Sequence, residues 1–265
     1  MKNSFENQLD ELTPEEKFDL AKKRHLDPRS IRDKTIHKAS ESESTQDFLE
    51  RRAKKIVERS GMEGVIKRFS NNDEVRMVDI GGGKGHILKE VIKKFKEANS
   101  DIKMNTAEID LSDYASKRVS ESEEGKEMNS VFGKGEELPI KVDKDGKPLI
   151  EVVSGYFVFE DLNDKQQGKV LEEIKRVLKD DGRIVIADDL CQETALKRVM
   201  AKGKNIAYNV KLSKFNVHND EEWREIFKEH DLEIESSVVF GEDNDNKKEE
   251  FISYVLKKAE EEVEG

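Results

Sequence analysis

A strand-like run that breaks into glycine and resumes as a helix is the strongest constraint this chain places on its own folding. Val75 to Ile80 is short, apolar and rich in β-branched residues, the pattern of a buried parallel strand. Gly81, Gly82, Gly83 and Gly85 follow it. Beyond them Leu88, Val91, Ile92 and Phe95 recur at i, i+3, i+4 and i+7, one face of a helix. Strand, glycine turn and helix open nucleotide-binding α/β units. Glycine is needed there because the backbone turns tightly and a ligand must come close without a Cβ in the way.

The spacing of the glycines selects among cofactors. A dinucleotide fingerprint requires Gly-x-Gly-x-x-Gly. Counted from Gly81 the third position is His86, and from Gly83 it is Leu88, so neither fits. A phosphate-loop pattern fails as well, because Lys84 lies inside the glycines and no Gly-Lys-Ser/Thr follows. What fits is acid-x-Gly-x-Gly-x-Gly, read on Asp79, Gly81, Gly83 and Gly85.

Charge and composition narrow the classes. Charged residues make up 40% of the chain and apolar ones 34%, which predicts a polar protein with apolar residues for one well-patterned core. The net charge of −11 argues against wrapping nucleic acid. No apolar run reaches the length of a membrane span, and the first residues lack the apolar stretch of a secretory signal. The one cysteine, Cys191, excludes an internal disulfide framework and a cysteine-built metal site. A cytoplasmic protein without membrane contact is the expectation. Two segments run against the acidic balance. Lys17 to Lys38 holds eight Lys/Arg against three Asp, and 194–219 holds six with no acid. Such runs are commonly solvated faces, but on an acidic protein they also suit the entrance for an anionic substrate.

Taken in order, the chain predicts a helix over Pro14–Lys23, capped by Thr13 with Glu16 at the capping-box position, and then a linker over 40–45. Helices over Thr45–Arg59 and Met62–Phe69 precede the first strand, and their expected place is across the carboxyl ends of the strands. Lys103–Ile109 is the second strand, ending at Asp110, and a helix is predicted over Asp113–Ser122. Met128–Phe132 and Ile150–Phe159 are the third and fourth strands, with a small hairpin around Asp145-Gly146 between them. A helix over Lys165–Lys179 should stop at Asp181-Gly182, ahead of a fifth strand at Arg183–Ala187. Asn219 and Glu222 form a capping box for a helix bearing Trp223, Ile226 and Phe227. Leu232–Phe240 and Glu250–Leu256, joined by a polar turn, must pair antiparallel.

Several motifs in this order resemble the class I S-adenosylmethionine-dependent methyltransferases, over about residues 50–257. Val-Asp-Ile-Gly-Gly-Gly-Lys-Gly-His resembles their first motif, and Glu-Ile-Asp-Leu-Ser at 108–112 the one whose acid holds the ribose. Gly-Glu-Glu-Leu-Pro at 135–139 resembles the segment beside adenine, and Val-Val-Ser-Gly-Tyr-Phe-Val-Phe-Glu-Asp-Leu at 152–162 the strand-four motif at the reaction centre. The stretches 174–188 and 220–227 resemble the family's helix with strand five and the helix before strand six. Two positions depart from the family: Lys134 stands where many members carry an acid for the adenine amine, and Tyr156 where many carry Asn or Asp.

The resemblance implies a Rossmann-like, seven-stranded, mainly parallel α/β sheet with an antiparallel last strand. Residues 1–70 would form a helical cap, 71–257 the cofactor domain with 194–219 as a basic lid, and 258–265 a charged tail. It implies S-adenosylmethionine held by Asp79, Gly81, Gly82, Gly83, Gly85, His86, Asp110, Leu111, Gly135, Glu136, Glu137, Gly155 and Tyr156. Tyr156 and Phe157 would lie near the methyl group. Tyr156, His218, Glu160 and Asp161 are the catalytic candidates, the last three as bases for a hydroxyl acceptor. No metal is expected. The expected partner is a small, anionic molecule rather than nucleic acid. The alternatives are a cofactor-binding sensor or partner subunit without transferase activity, and an RNA or protein methyltransferase.

Overall fold

The computed structural model describes residues 43–83, 85–110, 128–190, 218–244 and 247–260. The predicted helices at 14–23 and 113–122, residues 40–42 of the expected linker, Leu111, Cys191 and the basic segment up to residue 217 lie outside the described residues, while 43–45, expected in that linker, are already helical.

The glycine-interrupted unit forms as its pattern requires. Strand β1, Glu74–Ile80, is buried along most of its length. It pairs in parallel with β2, Lys103–Asp110, on one side and β4, Ile150–Tyr156, on the other. Helix α3, His86–Ala98, buries the four residues that its periodicity marked: Leu88, Val91, Ile92 and Phe95. β3, Met128–Phe132, adds in parallel beyond β2, and β5, Leu178–Asp189, beyond β4. β6, Leu232–Asn244, and β7, Lys247–Lys258, form a hairpin, and β7 inserts antiparallel between β5 and β6. The seven strands run in the order β3-β2-β1-β4-β5-β7-β6, the predicted Rossmann-like sheet with its antiparallel last strand.

Each face of the sheet is sealed by its own apolar cluster. On one, Met77, Val152, Val185 and Val255 meet α3 together with α1, Glu43–Arg59, and α2, Met62–Phe69. On the other, Val78, Val153, Ile184 and Ile186 meet α4, Asp164–Val177, and α5, Asp220–Glu229. Alternate strand residues supply alternate faces, so one run of β-branched residues serves both layers. The Asn219–Glu222 capping box is present, and Asn163 with Gln166 forms a second one at the start of α4.

Four expectations are corrected. α1 and α2 do not lie across the carboxyl ends of the strands. Ile56, Val57, Met62, Val65, Ile66 and Phe69 are buried against the sheet face, where their apolar stripe finds a larger apolar partner. α4 ends at Val177, and Asp181-Gly182 sits inside β5 rather than before it. The register jumps there, Ile150 pairing with Leu178 and Val152 with Arg183. Gly182 fits that bulge because a Cβ would strike the Leu178 side chain at 2.7 Å. Around Asp145-Gly146 there is a turn without strands, closed by Asp143 Oδ1, which accepts from the N–H groups of Asp145 and Lys147. Finally, the strands β6 and β7 reach through most of the expected polar turn, pairing as far as Asn244 with Lys247.

Candidate functional site

The glycine loop is built by two separate demands. Gly81, Gly83 and Gly85 have φ of 72°, 58° and 71°, the left-handed region that side chains disfavour. Gly82 is not left-handed, and its reason is closeness. A Cβ there would stand 2.5 Å from Asp79 Oδ2 and 2.7 Å from Glu108 Cγ. The loop is tied back by Gly81 N–H to the Ile109 carbonyl at 2.8 Å and by Gly85 N–H to the Gly82 carbonyl at 2.9 Å. Gly85 then opens α3 with no side-chain cap, so the polar start of that helix sits at the loop.

Three carboxylates converge beneath this loop from neighbouring strands. Asp79 and Glu108 are register partners on β1 and β2, and both are buried. Asp79 Oδ1 accepts from Ser154 Oγ on β4. Burial pushes the Asp79 carboxyl up to about 7, with the Ser154 hydrogen bond opposing and the Asp110 charge adding. Asp110 lies two residues past Glu108 on the same side of β2, and its Oδ2 accepts from Gly83 N–H at 2.9 Å. Its backbone carbonyl accepts from Gly133 N–H at 3.0 Å, which brings the exit of β3 to the same place. From there Gly135 packs so closely that a Cβ would meet Ile80 and Val170, each at 3.1 Å. Glu136 Oε1 accepts from Gln166 Nε2 at 2.6 Å, tying this segment to the start of α4, while Glu137 is exposed in a turn with Lys134.

The end of β4 faces two ways. Gly155 is pressed against Phe159 and Val158, at 3.1 and 3.3 Å from a would-be Cβ. Tyr156 is buried, and its hydroxyl lies 3.2 Å from Ser60 Oγ at the end of α1. Burial raises this phenol above its usual range. Tyr156 shares strand parity with Val152 and Ser154, so it packs in the α1–α3 layer on the same side of β4 as the Ser154–Asp79 pair, and the Asp79 charge adds to the rise of its phenol. Phe157 instead marks the carboxyl edge. It adopts φ 58°, unusual for a side-chain-bearing residue, and its N–H donates to the Ala187 carbonyl at 2.8 Å. Its ring meets Phe251 edge-on at 5.1 Å. Glu160 and Asp161 follow in a short 3-10 turn, pinned where Asp188 Oδ2 accepts from Glu160 N–H at 3.0 Å.

His218 and His86 sit in different surroundings. Gln167 Nε2 donates to the Phe159 carbonyl at 2.9 Å, so its Oε1 is the acceptor 2.9 Å from His218 Nε2. The His218 ring therefore donates from Nε2, packs edge-on against Trp223 at 4.8 Å, and turns Nδ1 toward Glu222 at 3.9 Å. Burial lowers its proton affinity. His86 is the first residue of α3 and lines an open groove of about 570 Å³ with Lys89 and Glu90 of α3 and Glu50 of α1. Trp223 is fully buried among Phe159, Phe227 and Tyr254 and serves as packing. Sequence reasoning missed Ser154, Glu108 and Gln167. The polar Ser154 among valines was the only one with a local signal.

These features define an α/β domain with a nucleoside-cofactor loop at the carboxyl ends of β1 and β2. The chain belongs to the methyltransferase-domain family, whose model matches residues 46–237, and it is an S-adenosylmethionine-dependent methyltransferase of class I. Solved structures agree on the fold. A methyltransferase from Bacillus halodurans C-125 is 14% identical with a TM-score of 0.55, covering 75% of this chain and 99% of its own. A LepI variant in complex with SAH and a substrate analogue is 16% identical with a TM-score of 0.54, covering 77% of this chain and 48% of its own. A Haloferax volcanii methyltransferase in complex with the Trm112 activator is 15% identical with a TM-score of 0.54, covering 79% and 94%. Comparison with curated proteins finds no match. Among the described residues no helix is long and apolar enough to cross a membrane.

The residues fit S-adenosylmethionine. The absence of a Cβ at Gly82 leaves bare backbone over Asp79 and Glu108. Carboxylates suit a ligand with an ammonium, a sulfonium and ribose hydroxyls, and the uncapped start of α3 suits its carboxylate.

Proposed function

We propose that this protein transfers the methyl group of S-adenosylmethionine to a small, anionic molecule, in the cytoplasm. The observation that carries this reading is the cradle at Gly82, where backbone alone separates the loop from Asp79 and Glu108 while Asp110 holds Gly83. The bound cofactor supplies an electrophilic methyl on sulfur, so transfer is an in-line displacement governed by placement and desolvation. Asp110 orients the ribose, and Asp79 with Glu108 compensates the positive amino-acid end. Phe157 and Phe251 exclude water at the carboxyl edge, since both rings pack there against each other. For a hydroxyl acceptor, Glu160 and Asp161, in the 3-10 turn that follows β4, are the candidate bases of this edge. The net charge of −11 supports a small acceptor over nucleic acid.

The test has two arms. Asp110→Ala should abolish calorimetric binding of S-adenosylhomocysteine; retained binding would remove the site. Methyl-tritiated cofactor with fractionated cell extract should label the dialysable fraction. Label in RNA or protein, or cofactor binding with no transfer to any fraction, would overturn the small-molecule assignment.

A further inference from the structure

Ser154 is a hydroxyl in a strand of buried residues, and the sheet gives it a partner. Parallel pairing sets Ser154 of β4 beside Asp79 of β1, and Asp79 beside Glu108 of β2, so the three stand in one row across the sheet. All three are buried. Beyond Ser154 the row continues into Val185 of β5, an apolar residue of the same layer. Ser154 Oγ donates to Asp79 Oδ1. Asp79 Oδ2 is the oxygen nearer the loop, 2.5 Å from where a Gly82 Cβ would stand. One carboxylate oxygen is therefore held from the sheet, and the other lies under bare backbone.

We propose that Ser154 is a positioning residue for cofactor binding: through Oδ1 it favours the ionised Asp79 carboxylate and holds Oδ2 toward the backbone at Gly82, where the positive amino-acid end of S-adenosylmethionine needs a counter-charge. The inference rests on the cofactor lying at the glycine loop. A buried carboxylate is costly to charge, and a hydroxyl that donates to it stabilises the charged form. The surroundings otherwise disfavour that charge. Glu108 and Asp110 stand on β2 and Tyr156 on β4, and the Asp110 charge adds to burial in holding the proton on Asp79. α1 and α2 meet this face with apolar residues such as Ile56 and Val65, with Ser60 at the end of α1, and α3 begins with His86. With burial pushing the carboxyl up to about 7 and Ser154 opposing, the hydroxyl acts where a small change in proton affinity changes the charge. A cationic ligand selects the ionised form, so its affinity should fall as pH falls through that midpoint.

The experiment titrates the full chain with S-adenosylhomocysteine by calorimetry over a pH series from about 5 to 9, wide enough to bracket a carboxyl raised this far. The unaltered protein should lose affinity as pH falls through about 7. Ser154→Ala removes the donor, so it should move the midpoint up by about one unit and weaken binding near the original midpoint by about fivefold. The gap should narrow toward the alkaline end, where both proteins carry the charge. Titration of the ligand itself is common to both proteins and drops out of the comparison. Affinity of the unaltered protein that is flat across the series would overturn the proposal. So would a Ser154→Ala profile that coincides with the unaltered one, or a loss equal at every pH, the mark of a packing defect. Failure of the unaltered protein to bind S-adenosylhomocysteine at any pH would instead refute the placement of the cofactor at the glycine loop, a separate result.

Discussion

Gly82→Ala is the most direct probe of the loop, because the added methyl isolates closeness from backbone strain. Gly82 does not share the positive φ of Gly81, Gly83 and Gly85, so alanine costs nothing in dihedral terms. The cost comes from contact. The new Cβ would lie 2.5 Å from Asp79 Oδ2, where ordinary contact begins at 3.4 Å, and 2.7 Å from Glu108 Cγ. Asp79 cannot swing aside without breaking its hydrogen bond from Ser154. Forcing one methyl into a filled site costs about 1–3 kcal/mol. Relief by lifting the loop shifts Gly83 off Asp110, so cofactor affinity should fall by about ten- to a hundredfold, at 1.4 kcal/mol per tenfold. Calorimetry with S-adenosylhomocysteine and urea denaturation measure the two effects. Gly64→Ala is the control: it lies within α2, and nothing stands within 4 Å of its would-be Cβ. It should stabilise the protein by up to about 1 kcal/mol. If Gly82→Ala binds cofactor and unfolds as the unaltered chain does, the cradle is not where the structure puts it.

Further expectations concern charge and packing. The Asp79 carboxyl, ordinarily near 3.8, is held up to about 7 in the fold. The native state therefore keeps a proton that the unfolded chain releases, and this contribution to stability is full below about 4 and fades as pH rises to 7. Asp79→Asn should flatten that slope in urea denaturation series; an unchanged slope would place the titration elsewhere. Tyr156→Phe should lower stability by about 0.5–1.5 kcal/mol through the lost Ser60 contact. It should leave methyl transfer nearly intact in a tritium assay, and a large loss of turnover would return the phenol to the reaction. Trp223→Ala should cost about 3–5 kcal/mol, because the indole is fully buried and stacked on Phe227 at 5.3 Å; a thermal melt shifted only slightly would contradict its packing role.

What was legible in the sequence was local. The periodicity change at Gly81–Gly85 marked a strand and a helix that the structure contains as Glu74–Ile80 and His86–Ala98, and Asp110 was visible as the acid closing β2. The Asn219 capping box was readable because capping is a contact over three residues. Failures came where a distant partner overrides a local rule. Asp181-Gly182 has the composition of a helix stop, but pairing with β4 draws Leu178 to Gly182 into the sheet. Tyr156 stood out by motif position, but its partner Ser60, at the end of α1, gave no local sign. Gln167 gave no sign, since it acts on residues outside its own element, Phe159 and His218.

The placement of β7 has a consequence for how the protein is made. β7 lies between β5 and β6, yet it follows both in the chain. A ribosome therefore presents β5, with Ile184, Val185 and Ile186 ready for burial, before the strand that covers its edge has been synthesised. Until β7 emerges, β5 keeps an open edge and β6 lacks the strand it pairs with, so each can recruit the wrong partner. Nascent chains stalled before Glu250 should bind holdase chaperones, and a release of that binding should coincide with the arrival of Phe251 to Leu256.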